Sequence, residues 1–166
     1  MHYIDLNRAF AVSLLSAVAS CSQAAPAVIS SELREHMKLE RFDIVTSIRG
    51  LPLDVRGALQ TLFASREFDI ARDIAQPGAR FQGTDEIDNP TLPLRRLIAA
   101  ECSLDHCLIY YERGGKALTW HVALFYWTPE TTRLEAGGLA RERLATIGDA
   151  RKALLSGKIK SSPKFW

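Results

Sequence analysis

The sequence lacks a strong excess of charge of either sign. It carries 21 Lys and Arg against 19 Asp and Glu, a formal net charge of +2, and these residues are scattered along the chain. A protein that binds nucleic acid usually has a basic patch or stripe, because phosphate contacts supply much of its affinity. We therefore expect no nucleic-acid partner.

Short catalytic motifs are also missing. The chain contains no G-x-S-x-G, no H-E-x-x-H, no phosphate-binding loop and no internal repeat. Such motifs would indicate a hydrolase nucleophile, a zinc protease or a nucleotide-binding site. The hydrophobic fraction of 47% is instead typical of an ordinary globular domain with one core. We expect no cofactor.

Cysteine is scarce, with three residues at Cys21, Cys102 and Cys107. The last two lie in CSLDHC, close enough to form a disulfide across a short loop, and an oxidising compartment would favour that bond. A zinc site that adds His106 and His121 is an alternative, but the C-x4-C spacing is not a usual one for zinc. A redox-active pair and free thiols are further alternatives. The sequence favours a structural disulfide and no metal site.

The N-terminus resembles a secretory leader. Residues 9–19, AFAVSLLSAVA, are uncharged and are followed by small residues, as in the hydrophobic region and cleavage site of a signal peptide. The segment is shorter than the stretch of about 20 apolar residues that a transmembrane helix needs. A buried core helix in a cytoplasmic protein is the alternative interpretation.

The four residues Val18-Ala19-Ser20-Cys21 resemble the lipobox of bacterial lipoproteins. The resemblance implies that residues 1–20 are a signal peptide and that Cys21 becomes the palmitate-carrying first residue of the mature chain. Ser22 in the next position resembles the outer-membrane sorting pattern, which implies anchoring on the periplasmic side of the cell envelope. A competing site, Ala17-Val18-Ala19, would instead release a soluble protein into the periplasm.

Residues 32–166 are predicted to form a single α+β domain, which a tether over residues 21–31 joins to the anchor. Two N-terminal helices are expected, in ELREHMKLERF after a Ser31 cap and over residues 53–65. A long surface excursion over residues 66–93 follows, and residues 148–156 predict a C-terminal helix. Between them we expect an antiparallel β-meander of three to four strands, with the two N-terminal helices packed on one of its faces.

The dipeptide Gly114-Gly115 stands between LIYYER and KALTWHVALFYW and predicts a two-residue hairpin turn of type I′. That turn would place Tyr111 opposite Leu118, and a four-residue loop before the hairpin would place Cys102 opposite Cys107. Together the two registers put one uncharged set on a single face, the predicted core: Ile98, Ala100, Cys102, Cys107, Ile109, Tyr111, Leu118, Trp120, Val122 and Leu124.

The same registers place Ile98 opposite Tyr111. A fourth strand over about residues 132–137 would place Leu134 opposite Tyr126 and Ala136 opposite Leu124.

The opposite face of the sheet is the predicted binding surface, formed by Glu101, Tyr110, Glu112, Thr119 and His121. Glu101 and His121 flank a central strand, so they should lie about 10 Å apart, too far for a direct hydrogen bond. An acid/base pair would need a bridging ligand, and half-exposed sheet residues are the simpler interpretation. We expect His121 to be dispensable for folding.

The function that these features favour is an envelope protein that binds a protein or cell-wall partner without catalysis, as an inhibitor or immunity-type module does. The alternative is a small periplasmic enzyme that uses His121 with a carboxylate, and a deep pocket with His121 at its floor would favour it. The terminal Phe165-Trp166 is expected to dock on the domain or to present an aromatic tip to a partner or membrane surface.

Overall fold

The computed structural model describes residues 29–63, 70–86 and 89–161. Its helices are α1 (Ser31–Leu39), α2 (Leu53–Leu62), α3 (Ile70–Asp73) and α4 (Ile147–Leu155). Its strands are β1 (Asp43–Val45), β2 (Ile74–Ala75), β3 (Arg95–Cys102), β4 (His106–Arg113), β5 (Thr119–Trp127) and β6 (Thr132–Ala140). The predictions for the leader, Cys21 and Phe165-Trp166 lie outside the described residues.

The helices begin at polar caps. Ser30 caps α1, because its Oγ accepts a hydrogen bond from the backbone N–H of Leu33 at 3.0 Å, so the helix starts one residue before the predicted position. Thr146 caps α4 in the same way through Asp149. Ile29 is already buried against the sheet. The last residues of the predicted tether are therefore packed with the domain.

One sheet organises the described part of the chain, in the order β1, β3, β4, β5, β6. Strands β3 to β6 form an antiparallel meander, which confirms the predicted α+β class and the predicted meander. Two short strands pair with the edge of β3. Strand β1 is antiparallel to the end of β3, and β2 is parallel to the start of β3. The meander therefore has four strands, within the predicted three to four, and a partly covered edge.

Both faces of the sheet are buried, which corrects the prediction of a single core face. Helix α2 packs on one face, where Val55 and Leu59 contact the cluster formed by Ala100, Cys107, Ile109, Tyr111, Ala123 and Phe125. Helices α1 and α4 pack on the other face, against Leu108, Tyr110, Val122, Leu124 and Ala136. The two N-terminal helices thus lie on opposite faces. Strands covered on both sides carry apolar residues at successive positions, so alternation could not show which face was the core.

The β3–β4 register is confirmed at the loop end. Cys102 pairs with Cys107, as predicted, and the two residues form a disulfide. Further along, an irregularity between Leu97 and Ala99 shifts the pairing, so Tyr111 lies opposite Leu97 rather than Ile98. On β6, Ala136 lies opposite Leu124 as predicted, whereas a second irregularity places Leu134 opposite Phe125 rather than Tyr126.

The predicted β4–β5 register is wrong. Tyr111 pairs with His121 instead of Leu118, a shift of three residues, and Arg113 pairs with Thr119 across a longer loop. Because the side-chain period of a strand is two, an odd shift moves every β5 side chain to the other face. Trp120 is consequently half-buried against the α1 and α4 side, and His121 is buried on the α2 side.

The Gly114-Gly115 segment does not form the predicted turn because Gly114 meets a distant part of the backbone. A Cβ at this position would lie 1.8 Å from the backbone oxygen of Gln82, so glycine is required where the two backbones meet. The N–H of Gly114 donates to the carbonyl of Leu94 at 2.9 Å. This bond extends the pairing of β3 and β4 by one residue beyond the end of β4. Among the residues that the structure describes, no helix combines the length and apolar character needed to cross a membrane.

Candidate functional site

The predicted binding face is not a surface. Glu101, Tyr110, Glu112 and His121 are buried, and Thr119 is half-buried. The prediction of half-exposed residues is wrong because helices cover both faces of the sheet. The β5 register also divides the set, since His121 lies beside Tyr111 on the α2 side whereas Tyr110 belongs to the cluster on the other side.

The buried polar residues of this set have partners inside the fold. Glu112 accepts a hydrogen bond from Arg96 Nε at 2.7 Å. Glu101 Oε1 forms an ion pair with the Arg151 guanidinium at 3.2 Å but accepts no hydrogen bond from the described residues. Burial raises the pKa of the Glu101 carboxyl, and Arg151 opposes that rise. These contacts are those of structural groups that the interior must satisfy.

His121 is also part of the interior. Its ring stacks on Tyr111 with centroids 5.0 Å apart, and its Nε2 lies 2.9 Å from Thr119 Oγ1. Burial lowers the pKa of His121 to about 4, and the nearby Arg113 and Arg95 lower it further in the same direction. The imidazole is therefore uncharged at neutral pH and packed against an aromatic ring.

A cluster of titratable side chains lies instead where β3 turns into β4. It contains His36, Glu40, Asp105 and His106, and one ligand atom from each lies within 4.8 Å of all the others. His36 and Glu40 are four residues apart at the end of α1, so they project from the same helix face. Asp105 and His106 come from the hairpin turn and the first residue of β4. We refer to these four residues as the turn cluster.

The contacts within the turn cluster connect each histidine to both carboxylates. His36 Nε2 lies 3.6 Å from Glu40 Oε2 and 3.5 Å from Asp105 Oδ2. His106 Nδ1 lies 3.2 Å from Glu40 Oε2 and 2.9 Å from Asp105 Oδ1. The rings of His36 and His106 are tilted by 58° with centroids 5.3 Å apart. Both imidazoles therefore aim a nitrogen at the same pair of carboxylates.

A layer of hydrogen bonds around the turn cluster holds it in place. Ser103 Oγ donates to Glu40 Oε1 and accepts from the backbone N–H of His106 at 2.9 Å. The N–H of Trp127 donates to the carbonyl of Asp105 at 2.9 Å, which ties the turn to the end of β5. The disulfide of Cys102 with Cys107 closes the hairpin on either side of the turn.

The electrostatics of the turn cluster are dominated by its two carboxyl groups. Burial raises the pKa of Glu40, and the neighbouring Asp105 carboxyl raises it further. The interaction with Glu40 lowers the pKa of Asp105, so the two carboxyl groups titrate as a pair. The two shifts have opposite signs because the carboxyl groups share one site, where a second negative charge is unfavourable.

A pocket of about 720 Å³ opens beside the turn cluster. Its walls include His36, Glu40, Ser103, Asp105 and the exposed Leu104. A second groove, of about 630 Å³, runs along α2 and contains Asp54 and Glu130 but no histidine or cysteine. Among the described residues, the turn cluster is the group that could hold a metal ion.

The sequence reasoning missed His36, Glu40 and Asp105. It grouped His106 with Cys102, Cys107 and His121. The two cysteines are bonded to each other, and His121 pairs with Tyr111, near the end of β4 that is far from His106. The available signal was the His-x-x-x-Glu spacing in a predicted helix, which brings two ligand types onto one face.

No family model matches the chain, and neither a curated protein nor a solved structure matches it.

Proposed function

We propose that this chain is an exported envelope protein, anchored through a lipid on Cys21, and that its domain is a non-enzymatic binding module of the inhibitor or immunity type. The observation that carries the proposal is the disulfide between Cys102 and Cys107. This bond pairs two of the three cysteines and leaves Cys21, the cysteine of the lipobox-like sequence, for lipidation. Disulfides are also typical of oxidising compartments such as the periplasm.

The binding surface that we propose surrounds the pocket beside the turn cluster. Leu104 lines this pocket and is 94% exposed, and Leu39, next to Glu40 in the chain, is 90% exposed. Ile44, next to the pocket residue Asp43, is another exposed large apolar side chain. Exposed leucines beside charged groups favour a protein partner, because protein interfaces combine an apolar centre with a polar rim. The position of His121, stacked in the interior, supports binding rather than catalysis.

One variant of the full chain tests the anchor. Cys21→Ala should abolish palmitate labelling and release the protein from the membrane fraction. Unchanged labelling would contradict the anchor.

Capture from envelope extract, followed by mass spectrometry, tests the surface. We expect a defined protein partner to be captured by the wild type and lost with Leu104→Asp. Leu118→Asp is the matched control, because Leu118 is an exposed leucine in the β4–β5 loop, at the other end of β4. Equal capture by the two variants would contradict the proposed surface.

A further inference from the structure

We propose that the ligand of this pocket is a divalent transition-metal ion of the zinc class, coordinated by His36, Glu40, Asp105 and His106. The inference rests on the proposed function in that it names what the same pocket binds. It stands on the arrangement of two imidazoles and two carboxylates around one point, with one ligand atom of each within 4.8 Å of the other three.

Three of the distances between ligand atoms are close to those of a tetrahedral ion. With metal–ligand bonds of about 2.0 to 2.1 Å, two ligands of a tetrahedral zinc site lie about 3.3 to 3.4 Å apart. The distances from Glu40 Oε2 to the two imidazole nitrogens are 3.6 and 3.2 Å, and His36 Nε2 lies 3.5 Å from Asp105 Oδ2. All four ligand atoms lie within 4.8 Å of one another, and His106 Nδ1 faces Asp105 Oδ1 at 2.9 Å, so side-chain rotations must bring the set around an ion.

One atom of the turn cluster is an orphan that an ion would satisfy. Glu40 Oε2 is buried and makes no hydrogen bond of acceptable geometry to the described residues, and the Glu40 side chain is only 10% exposed. A buried carboxylate oxygen without a donor is costly, since nothing replaces the water it has lost. A cation bound to Oε2 removes that cost and offsets the charge of the neighbouring Asp105.

The other oxygen of Glu40 is already held by Ser103. Because Ser103 Oγ donates to Glu40 Oε1, the carboxylate is oriented with Oε2 toward the histidines. The same hydroxyl binds the backbone of His106, and so couples the carboxylate from α1 to the imidazole from β4. Hydrogen bonds of this kind around a metal site orient its ligands and raise its affinity.

The ligand set indicates which ions fit. Magnesium and calcium take oxygen ligands, whereas imidazole nitrogen is a good ligand for zinc and its first-row neighbours. Two nitrogens with two carboxylate oxygens therefore favour a first-row divalent ion over the alkaline-earth ions. The side chain of His36 is 50% exposed, which leaves a route for the ion from solvent.

The test uses the untagged full chain, stripped with EDTA and returned to chelator-free buffer. Isothermal titration with zinc chloride should show one ion bound per chain. Cobalt(II) should give the strong visible absorption of tetrahedral coordination, and zinc should displace it. Magnesium should leave the cobalt spectrum unchanged.

Variants show whether the turn cluster is the site. His36→Gln, at a half-exposed position that need not affect folding, should weaken zinc binding by about tenfold or more, a loss that even outer-shell partners can cause. Glu35→Gln is the matched control, because Glu35 is next to His36 in α1 but pairs with Lys38. Its zinc affinity should equal that of the wild type. Thermal melts check that both variants are folded.

Two results would overturn the inference: wild-type protein that takes up no zinc, or His36→Gln and Glu35→Gln that bind zinc equally. Neither result touches the proposed function, because partner capture in envelope extract and palmitate labelling are measured separately. If the wild-type protein binds no zinc but still captures a protein partner, the metal site is wrong and the proposed binding function is supported.

Discussion

The burial of His121 makes the stability of this protein depend on pH in a way that one substitution removes. The folded-state pKa of His121 is about 4, because burial and the nearby Arg113 and Arg95 disfavour the imidazolium. In the unfolded chain its pKa is about 6.5. The folded-state pKa is thus below the unfolded one. Above pH 6.5 the ring is neutral in both states and His121 adds no pH dependence. As the pH drops from 6.5 toward 4, the unfolded state gains a proton that the folded state does not, so the free energy of unfolding falls.

The magnitude follows from the two pKa values. At pH 7.5 both states hold His121 neutral, whereas at pH 5 the unfolded state is mostly protonated and the folded state is not. The linkage relation then gives a loss of about 2 kcal/mol between these two pH values, and about 3 kcal/mol once the pH is below both pKa values.

The assay compares wild type with His121→Phe by urea unfolding at pH 7.5 and pH 5.0. Phenylalanine keeps a ring that can stack on Tyr111 but cannot titrate. Other titrating groups, such as Glu40 and Glu101, are present in both proteins and cancel in the comparison. We expect the wild type to lose about 2 kcal/mol more than the variant on acidification. The same loss in both proteins would refute the reasoning, and His121→Gln provides a second variant if Phe disturbs the packing.

Two further predictions concern the connections at the two ends of β4. Gly114→Ala should destabilise the protein by about 3 kcal/mol or more in a thermal melt, because its Cβ would meet the backbone of Gln82. Gly57→Ala is the control with the opposite sign, since nothing lies within 4 Å of its Cβ and the position is helical; it should stabilise by about 0.5 to 1 kcal/mol. Reduction of the bond between Cys102 and Cys107 should cost about 2 kcal/mol, as expected for so short a loop, and lower the melting temperature without unfolding the domain. Native protein in which both thiols are alkylated without reductant would contradict the disulfide.

The features that the sequence could predict are those set by neighbours along the chain. The bridge between Cys102 and Cys107 follows from a short loop that can place them opposite each other, and it is present. The meander follows from apolar strand segments separated by turn residues, and its four strands appear. These interactions span only a few residues, so local spacing contains the information.

The β4–β5 register needed the tertiary structure. Gly114-Gly115 fits a tight turn, yet Gly114 is required by the backbone of Gln82, which approaches from a distant part of the chain. Because helices cover both faces of the sheet, both faces of β5 are largely apolar. A register shifted by three residues therefore gives an equally apolar core, and the hydrophobic pattern could not distinguish the two registers.

The turn cluster was decided by tertiary structure alone. Glu40 and His106 are 66 residues apart in the chain, and they meet because α1 packs on the side of the sheet next to the β3–β4 turn. Local spacing placed His36 and Glu40 on one helix face and Asp105 beside His106, but it could not say that the two pairs would face each other. That proximity comes from the burial of Met37 and its neighbours against β4 and β5, a nonlocal hydrophobic contact that no short motif contains.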